Sequence, residues 1–143
     1  MLVRQIIGLK GGSDVVTLSL GTKVSDAART LSEKQIGAIG VVDGDSPQGS
    51  LSERDIVREL GRRGEHCLSD GVDTLMTREM ITCAPDETAD EVMQKMTDGR
   101  FRHMPVMEAG AMVGLISIGD VVKARLSELA MEKGALEDMI KGF

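Results

Sequence analysis

The motif Gly-x-x-Ser-x-x-Asp occurs twice in the chain, as Gly49-Ser50-Leu51-Ser52-Glu53-Arg54-Asp55 and as Gly114-Leu115-Ile116-Ser117-Ile118-Gly119-Asp120. A glycine lets backbone approach a ligand closely. A serine placed where a strand becomes a helix caps free N–H groups or contacts a phosphate. An aspartate three residues later lies on the same side of the helix start. Its carboxylate can accept hydrogen bonds from both hydroxyls of a ribose. Taken singly, a copy is explained as a plain helix cap, with the aspartate favoured by the helix dipole. Two copies at matching positions favour a ligand. A second signal occurs once, in Arg100-Phe101-Arg102-His103-Met104-Pro105-Val106. Arg102 and His103 introduce cations into an otherwise apolar strand, where Arg offers a phosphate its bidentate fork. Pro105 withholds a backbone N–H from the sheet ladder. The matching stretch of the first copy, Gln35 to Val41, has no cation.

The elements that carry these residues are themselves duplicated. Thr17 matches Thr82, Gly49 matches Gly114, Ser52 matches Ser117 and Asp55 matches Asp120, all at one offset of 65 residues with no gap. Val24, Ala27, Ala28 and Leu31 fall at helical spacing, and Ala89, Val92, Met93 and Met96 repeat the stripe. Each copy reads as a short strand (Val15 to Leu18; Met80 to Cys83) and a helix (roughly 22–34; 87–98) with Thr22 or Asp86 as N-cap candidates. A strand follows (Ala38 to Val42; His103 to Met107), then a turn at 43–47 or 108–110. A third strand (Gly49 to Leu51; Val113 to Ile116) leads to a second helix near Ser52 or Ser117. The β-α-β-β-α order predicts an α+β fold in which two copies too small to bury a core alone cover each other. Polar Gly61 to His66 reads as a linker. Val3, Ile6 and Ile7 suggest an N-terminal helix stopped by Gly11-Gly12. Val122, Leu126, Leu129, Leu136 and Ile140 suggest a long C-terminal helix that covers its own domain or forms a dimer contact.

Composition narrows the function classes. The chain has 143 residues, 41% hydrophobic and 28% charged, as in a globular protein. A net charge of −6 and two aromatic residues, Phe101 and Phe143, argue against a nucleic-acid footprint. No membrane span or signal peptide is expected, which makes the cytoplasm the default location. Cys67 and Cys83 match no zinc pattern. Only His66 and His103 could act as imidazole bases, and no Walker loop occurs, so an enzyme is not expected. The basic cluster Arg58, Arg62 and Arg63 reads as a solvated helix face.

The duplication, the paired Gly-x-x-Ser-x-x-Asp and the Arg-His-Met-Pro-Val strand resemble a tandem pair of cystathionine-β-synthase (CBS) domains, a Bateman module of the small stand-alone bacterial type. The similarity runs from about Val3 to Leu126. It implies two repeats packed sheet to sheet around a pseudo-two-fold. Residues 1–62 would be the first repeat with its N-terminal helix, 63–74 a linker, 75–126 the second repeat and 127–143 a C-terminal helix. It also implies an adenosine ligand in clefts between the repeats: AMP foremost, otherwise ADP, ATP, NAD(H) or S-adenosylmethionine. Carried over by resemblance, Asp120 holds the ribose, Ser117 with Ile118 and Gly119 lies near ribose or phosphate, and Arg102 and His103 read phosphate. Thr82 and Cys83 line the adenine, with Met104 and Pro105 against the base. Asp55, Ser52 and Thr17 form the corresponding half-site, and Arg54 reaches a phosphate near the pseudo-two-fold. Ser50 departs from the family's apolar residue; with the cation-free strand it makes the Asp55 site the expected weaker one. The implied function is a ligand-sensing regulatory module, a homodimer acting on a separate and unknown protein. A structural dimerisation domain with an unoccupied cleft is the alternative.

Overall fold

The computed structural model describes residues 1–10 and 16–142. Gly11-Gly12 and Val15, read above as a helix stop and a strand start, lie outside the described residues. The described chain runs α1 (Val3–Leu9), β1 (Thr17–Ser19), α2 (Val24–Lys34), β2 (Ala38–Asp43), β3 (Ser46–Ser52) and α3 (Glu53–Arg63). Two 3-10 turns, Gly64–Ser69 and Val72–Thr74, lead to α4 (Ala89–Gly99), β4 (His103–Glu108), β5 (Ala111–Ser117) and α5 (Ile118–Ile140). The fold is α+β, as the duplicated pattern predicts.

The helical stripes become buried faces. Val24, Ala27 and Leu31 of α2 and Ala89, Val92 and Met96 of α4 are buried at corresponding positions. Each of the valine, leucine and methionine side chains stabilises by about 1.5–3 kcal/mol when removed from water, and each alanine by less. Both helices end on a left-handed residue, Gln35 at φ 53° and Arg100 at φ 56°. They start later than the predicted caps. Lys23 and Thr88 occupy the N-cap positions, and the Thr88 hydroxyl accepts from the Glu91 N–H at 3.1 Å. Thr22 and Asp86 are not caps, because the chain ahead of each helix is held extended by another segment. The Thr22 carbonyl accepts from the Val72 N–H at 2.8 Å, and the Glu87 carbonyl accepts from the Val3 N–H at 2.9 Å.

Those two hydrogen bonds reveal a reciprocal exchange. Helix α1 packs on the second repeat, with Val3 and Ile6 buried beside Val92, Met104 and Val121. The segment after α3 packs on the first, with Val72, Leu75 and Met76 beside Val24, Ile39 and Leu51. The N-terminal helix therefore completes the core of the second repeat. Val72 of the region read as a linker, with Leu75 and Met76 from the start of the segment read as the second repeat, completes that of the first. Strands β2 and β3 face β5 between the two cores, with Met112 standing over Gly40.

The two sheets differ by two hydrogen bonds, each with a chemical cause. The first has three strands in the order β1-β2-β3, β1 parallel to β2 and β2 antiparallel to β3. The second has only β4 and β5. The predicted strand Met80 to Cys83 is reduced to one bridge, Cys83 to Val106. The Cys83 N–H donates to the Pro105 carbonyl at 3.0 Å, and the Met107 N–H donates to the Cys83 carbonyl at 2.9 Å. In the first repeat the Gly40 N–H continues the ladder to the Val16 carbonyl at 3.4 Å. Pro105 stands at the position of Gly40 and has no N–H to give, so the ladder stops there. Likewise the Leu20 N–H donates to the Val42 carbonyl at 3.1 Å in the first sheet, while Pro85 stands at that position in the second and has no N–H.

Candidate functional site

The two Ser-x-x-Asp motifs form matching helix starts. Ser52 and Ser117 cap α3 and α5, each hydroxyl accepting from the aspartate N–H at 3.2 and 3.1 Å. Asp55 and Asp120 reach back to the serine N–H, both at 2.9 Å, closing capping boxes. The cap and ligand readings are therefore compatible, since each carboxylate keeps a second oxygen. Helix α3 enters from the Gly37 carbonyl (Glu53 N–H, 3.0 Å) and α5 from the Arg102 carbonyl (Ile118 N–H, 2.8 Å). The motif glycines have a different task from the one expected. A Cβ on Gly49 would lie 2.5 Å from the Thr77 carbonyl oxygen, and one on Gly114 2.7 Å from Ile7 Cδ1. The close approach they permit is by the exchanged segments of the chain itself.

Two clefts of about 420 Å³ each lie between the repeats. One contains Ser117 and Asp120 of the second repeat with Val16, Gln35, Ile36 and Gly37 of the first. The other contains Ser52, Arg54 and Asp55 of the first repeat with Met80, Ile81 and Arg100 to Arg102 of the second. His103, Gly37 and Ala38 line both. Each cleft thus takes its aspartate from one repeat and its strand entry from the other. That crossing corrects the grouping drawn from the sequence: Arg102 and Pro105 share the cleft of Asp55, not that of Asp120. The cleft expected to be the weaker holds Arg54, Arg58, Arg100 and Arg102.

Several other candidates fall outside the clefts. Met104 is fully buried in the second core and presents no face to a base. Cys83 is buried, its sulfur directed at the Pro105 carbonyl at 3.8 Å. Burial pushes its thiol up to about 11. Thr82 uses its carbonyl to receive Lys95 Nζ at 3.0 Å and lines neither cleft. Thr17 is exposed beside Gly40 while its neighbour Val16 lines the Asp120 cleft. Ile118 and Gly119 are exposed at the start of α5 and are not among the lining residues.

Electrostatics sets the two carboxylates apart. Asp55, only 6% exposed, is the buried charged side chain among the described residues, 3.5 Å from the Arg58 guanidinium. Asp120 faces Lys10, whose Nζ lies 2.9 Å from Oδ2 and also donates to the Leu115 carbonyl at 2.9 Å. Burial would raise the Asp120 carboxyl, but the Ser117 N–H and Lys10 outweigh it and hold the group below its ordinary range. Burial lowers the His103 imidazole; Glu53 opposes that shift, and Lys10 adds to it. The ring sits where a Cβ on Gly37 would be 3.0 Å from Nε2, so glycine at that position makes room for it. Lys10 escaped the sequence reading because its partners belong to the other repeat. Its position at the end of α1, one turn beyond the buried Ile6, was the available signal.

The family model for the CBS domain matches residues 10–62 and again 72–127. The chain belongs to the CBS-domain family. Among curated relatives, the mitochondrial CBS domain-containing protein CBSX3 of Arabidopsis thaliana is 37% identical over 124 residues, covering 83% of this chain and 60% of that protein. The chain thus spans about three fifths of that relative. Among solved structures, the CBS-domain containing protein ATU1752 from Agrobacterium tumefaciens is 41% identical with a TM-score of 0.83, covering 87% of this chain and 99% of that one. The CBS domain protein PAE2072 from Pyrobaculum aerophilum, complexed with AMP, shares the fold at 23% identity, with a TM-score of 0.78 over 92% of this chain and 99% of its own. The two matched segments correspond to the two repeats, and the clefts lie between them. No helix among the described residues is long and apolar enough to cross a membrane.

Proposed function

We propose that the chain is a regulatory ligand-binding module that takes an adenosine phosphate, AMP in the first instance, in the cleft of Asp55. The observation that carries this reading is the convergence of Asp55 and three arginines without an ion-pair partner among the described residues, Arg54, Arg100 and Arg102, in one cleft between the CBS repeats. Asp55 keeps an acceptor oxygen for ribose hydroxyls, and the guanidinium forks suit a 5′-phosphate. AMP bound to the related PAE2072 fold supports the ligand class. Cys67 and Cys83 are both buried, so neither offers a nucleophile to a substrate in the clefts, and the role is read as regulatory rather than catalytic.

The mechanism follows from the crossing. Ser52 to Arg58 belong to the first repeat and Met80 to Arg102 to the second, so a ligand that touches both favours one relative arrangement of the repeats. A second copy of the chain is the proposed reader of that arrangement. The exposed face of α5 continues past the matched CBS segment with Leu129, Leu136 and Ile140 open to solvent.

Isothermal titration with AMP and with guanosine monophosphate tests the binding reading. The expected outcome is that AMP binds and guanosine monophosphate does not. Arg102→Met and Asp55→Asn each weaken AMP by roughly 10- to 150-fold, the equivalent of losing one charge-assisted hydrogen-bonding group. AMP affinity unchanged in both folded variants overturns the assignment of this cleft.

A further inference from the structure

The two clefts are equal in volume and differ in charge, the Asp55 cleft carrying a positive surplus and the Asp120 cleft a neutralised pair. Resting on the adenosine-binding reading above, we infer that they take different ligands: the Asp55 cleft a phosphorylated adenosine, the Asp120 cleft an adenosine-type nucleoside with no phosphate. The Asp55 cleft is lined by four arginines against Glu53, Asp55 and Glu79, a surplus of positive charge. Among the described residues the Asp120 cleft is lined by one cation, Lys10, and that cation is already bound to Asp120 at 2.9 Å. The five residues between Lys10 and Val16, Gly-Gly-Ser-Asp-Val, carry no basic side chain. His103 lines both clefts and so discriminates neither.

The asymmetry is built in position by position. The repeat offset sets Gln35 where the second repeat has Arg100, and Gly37 where it has Arg102. Gln35 and Arg100 share the same left-handed backbone, at φ 53° and 56°, so each points from an equivalent place at the end of α2 or α4. The exchanged segments match as well: Ile7 stands before Gly114 as Met76 stands before Gly49, and the same register sets Lys10 opposite Glu79. What remains around Asp120 is apolar, with Ile7, Val16, Ile36, Val113 and Leu115 facing Gln35 and Ser117. A phosphate moved from water into that lining would lose its hydration with no unpaired cation among the described residues in return, an unfavourable exchange. A ribose diol on the free Asp120 oxygen and an uncharged 5′ group against the apolar wall avoid that cost.

The test isolates each cleft in the full chain and compares adenosine with AMP, which differ only by the phosphate. In Asp120→Asn, with the Asp55 cleft intact, AMP binds at least tenfold more tightly than adenosine. In Asp55→Asn, with the Asp120 cleft intact, adenosine binds at least as tightly as AMP. Gln35→Arg added to Asp55→Asn supplies the missing guanidinium and raises AMP affinity at least tenfold over adenosine; circular dichroism confirms that each variant is folded. The same preference for AMP in both single variants overturns the inference while leaving the adenosine reading intact. Absence of binding by either compound to the wild-type chain removes the reading on which it rests.

Discussion

At the scale of single residues, His103 is where ligand charge and proton balance meet. Its imidazole is lowered by burial, with Glu53 and Asp120 pulling the other way and Lys10 and Arg102 adding to the shift. The folded-state value therefore lies below the unfolded one of about 6.5, and between the two the unfolded chain binds more protons. Stability from this group is intact above about pH 6.5 and falls as the pH drops from there through the folded value. A phosphate in the Asp55 cleft reverses the balance by stabilising the imidazolium. AMP binding is accordingly expected to take up a proton near pH 6.5 and to tighten from pH 8 to pH 6. Calorimetry in two buffers of different ionisation enthalpy measures the net uptake. His103→Gln removes the part the imidazole carries, leaving that of the AMP phosphate, which itself titrates at about pH 6. An uptake that His103→Gln leaves unchanged would mean that the ring does not meet the phosphate. Asp120 adds a separate acid limb: its lowered carboxyl contributes stability that is present above about pH 4 and lost as the pH falls below that.

At the scale of elements, Pro105 and Pro85 together limit the second sheet to two strands, and Pro105 can be tested alone. Pro105→Ala restores the N–H that Gly40 supplies in the first repeat, where its acceptor is the Val16 carbonyl; by the repeat offset the corresponding acceptor is the Ile81 carbonyl. A new backbone hydrogen bond contributes about 0.5–1.5 kcal/mol. Losing proline's restriction of the unfolded chain costs about 0.4–1 kcal/mol. The melting temperature is thus expected to move little, and the informative readout is exchange of the new amide at 105. Protection well above that of an exposed amide reports a third strand at residues 80–83. Free exchange would show that something besides the missing donor keeps that segment out of the sheet. The same proline shows which parts of the fold the sequence made legible. The duplication, the helical stripes and the serine caps at Ser52 and Ser117 depend on spacing within a few residues, and spacing is visible in the chain. Pro105 acts on a strand more than twenty residues away, so its effect on Met80 to Cys83 appears only when the partner is in place. Thr22 and Asp86 failed as caps for a related reason: Val72 and Val3 hold the preceding residues extended from outside the repeat. The clefts lay furthest from view. Each of the paired aspartates lines one of them, but assigning Arg102 to Asp55 rather than Asp120 requires knowing that the repeats face each other across a pseudo-two-fold. Nothing local in Arg100 to Val106 records which aspartate that is.

At the scale of the whole molecule, α5 is longer than its own repeat needs. Val121 and Ala124 are its buried residues. Beyond them Leu126 is 63% exposed, Leu129 49%, Leu136 60% and Ile140 85%. Val122, Leu126, Leu129, Lys133, Leu136 and Ile140 alternate at intervals of four and three residues, the seam of a helix that pairs with another helix. Exposed Val57 and Leu60 on α3 add apolar surface at the pseudo-equivalent helix. An apolar seam of this length is costly to leave in water, since each side chain regains about 1.5–3 kcal/mol on burial. Lys133 interrupts the seam, and a charge at such a position sets register at the expense of affinity. The chain is therefore expected to dimerise through α5, with light scattering coupled to size-exclusion chromatography giving twice the mass of one chain. Leu129→Glu places a charge in the middle of the seam and shifts the protein to monomer, while AMP binding in the clefts persists because α5 enters them only at its first turn. Lys133→Leu has the opposite effect and lowers the dissociation constant of the dimer. A monomeric wild-type chain at tens of micromolar, or a Leu129→Glu dimer, would overturn dimerisation through this seam.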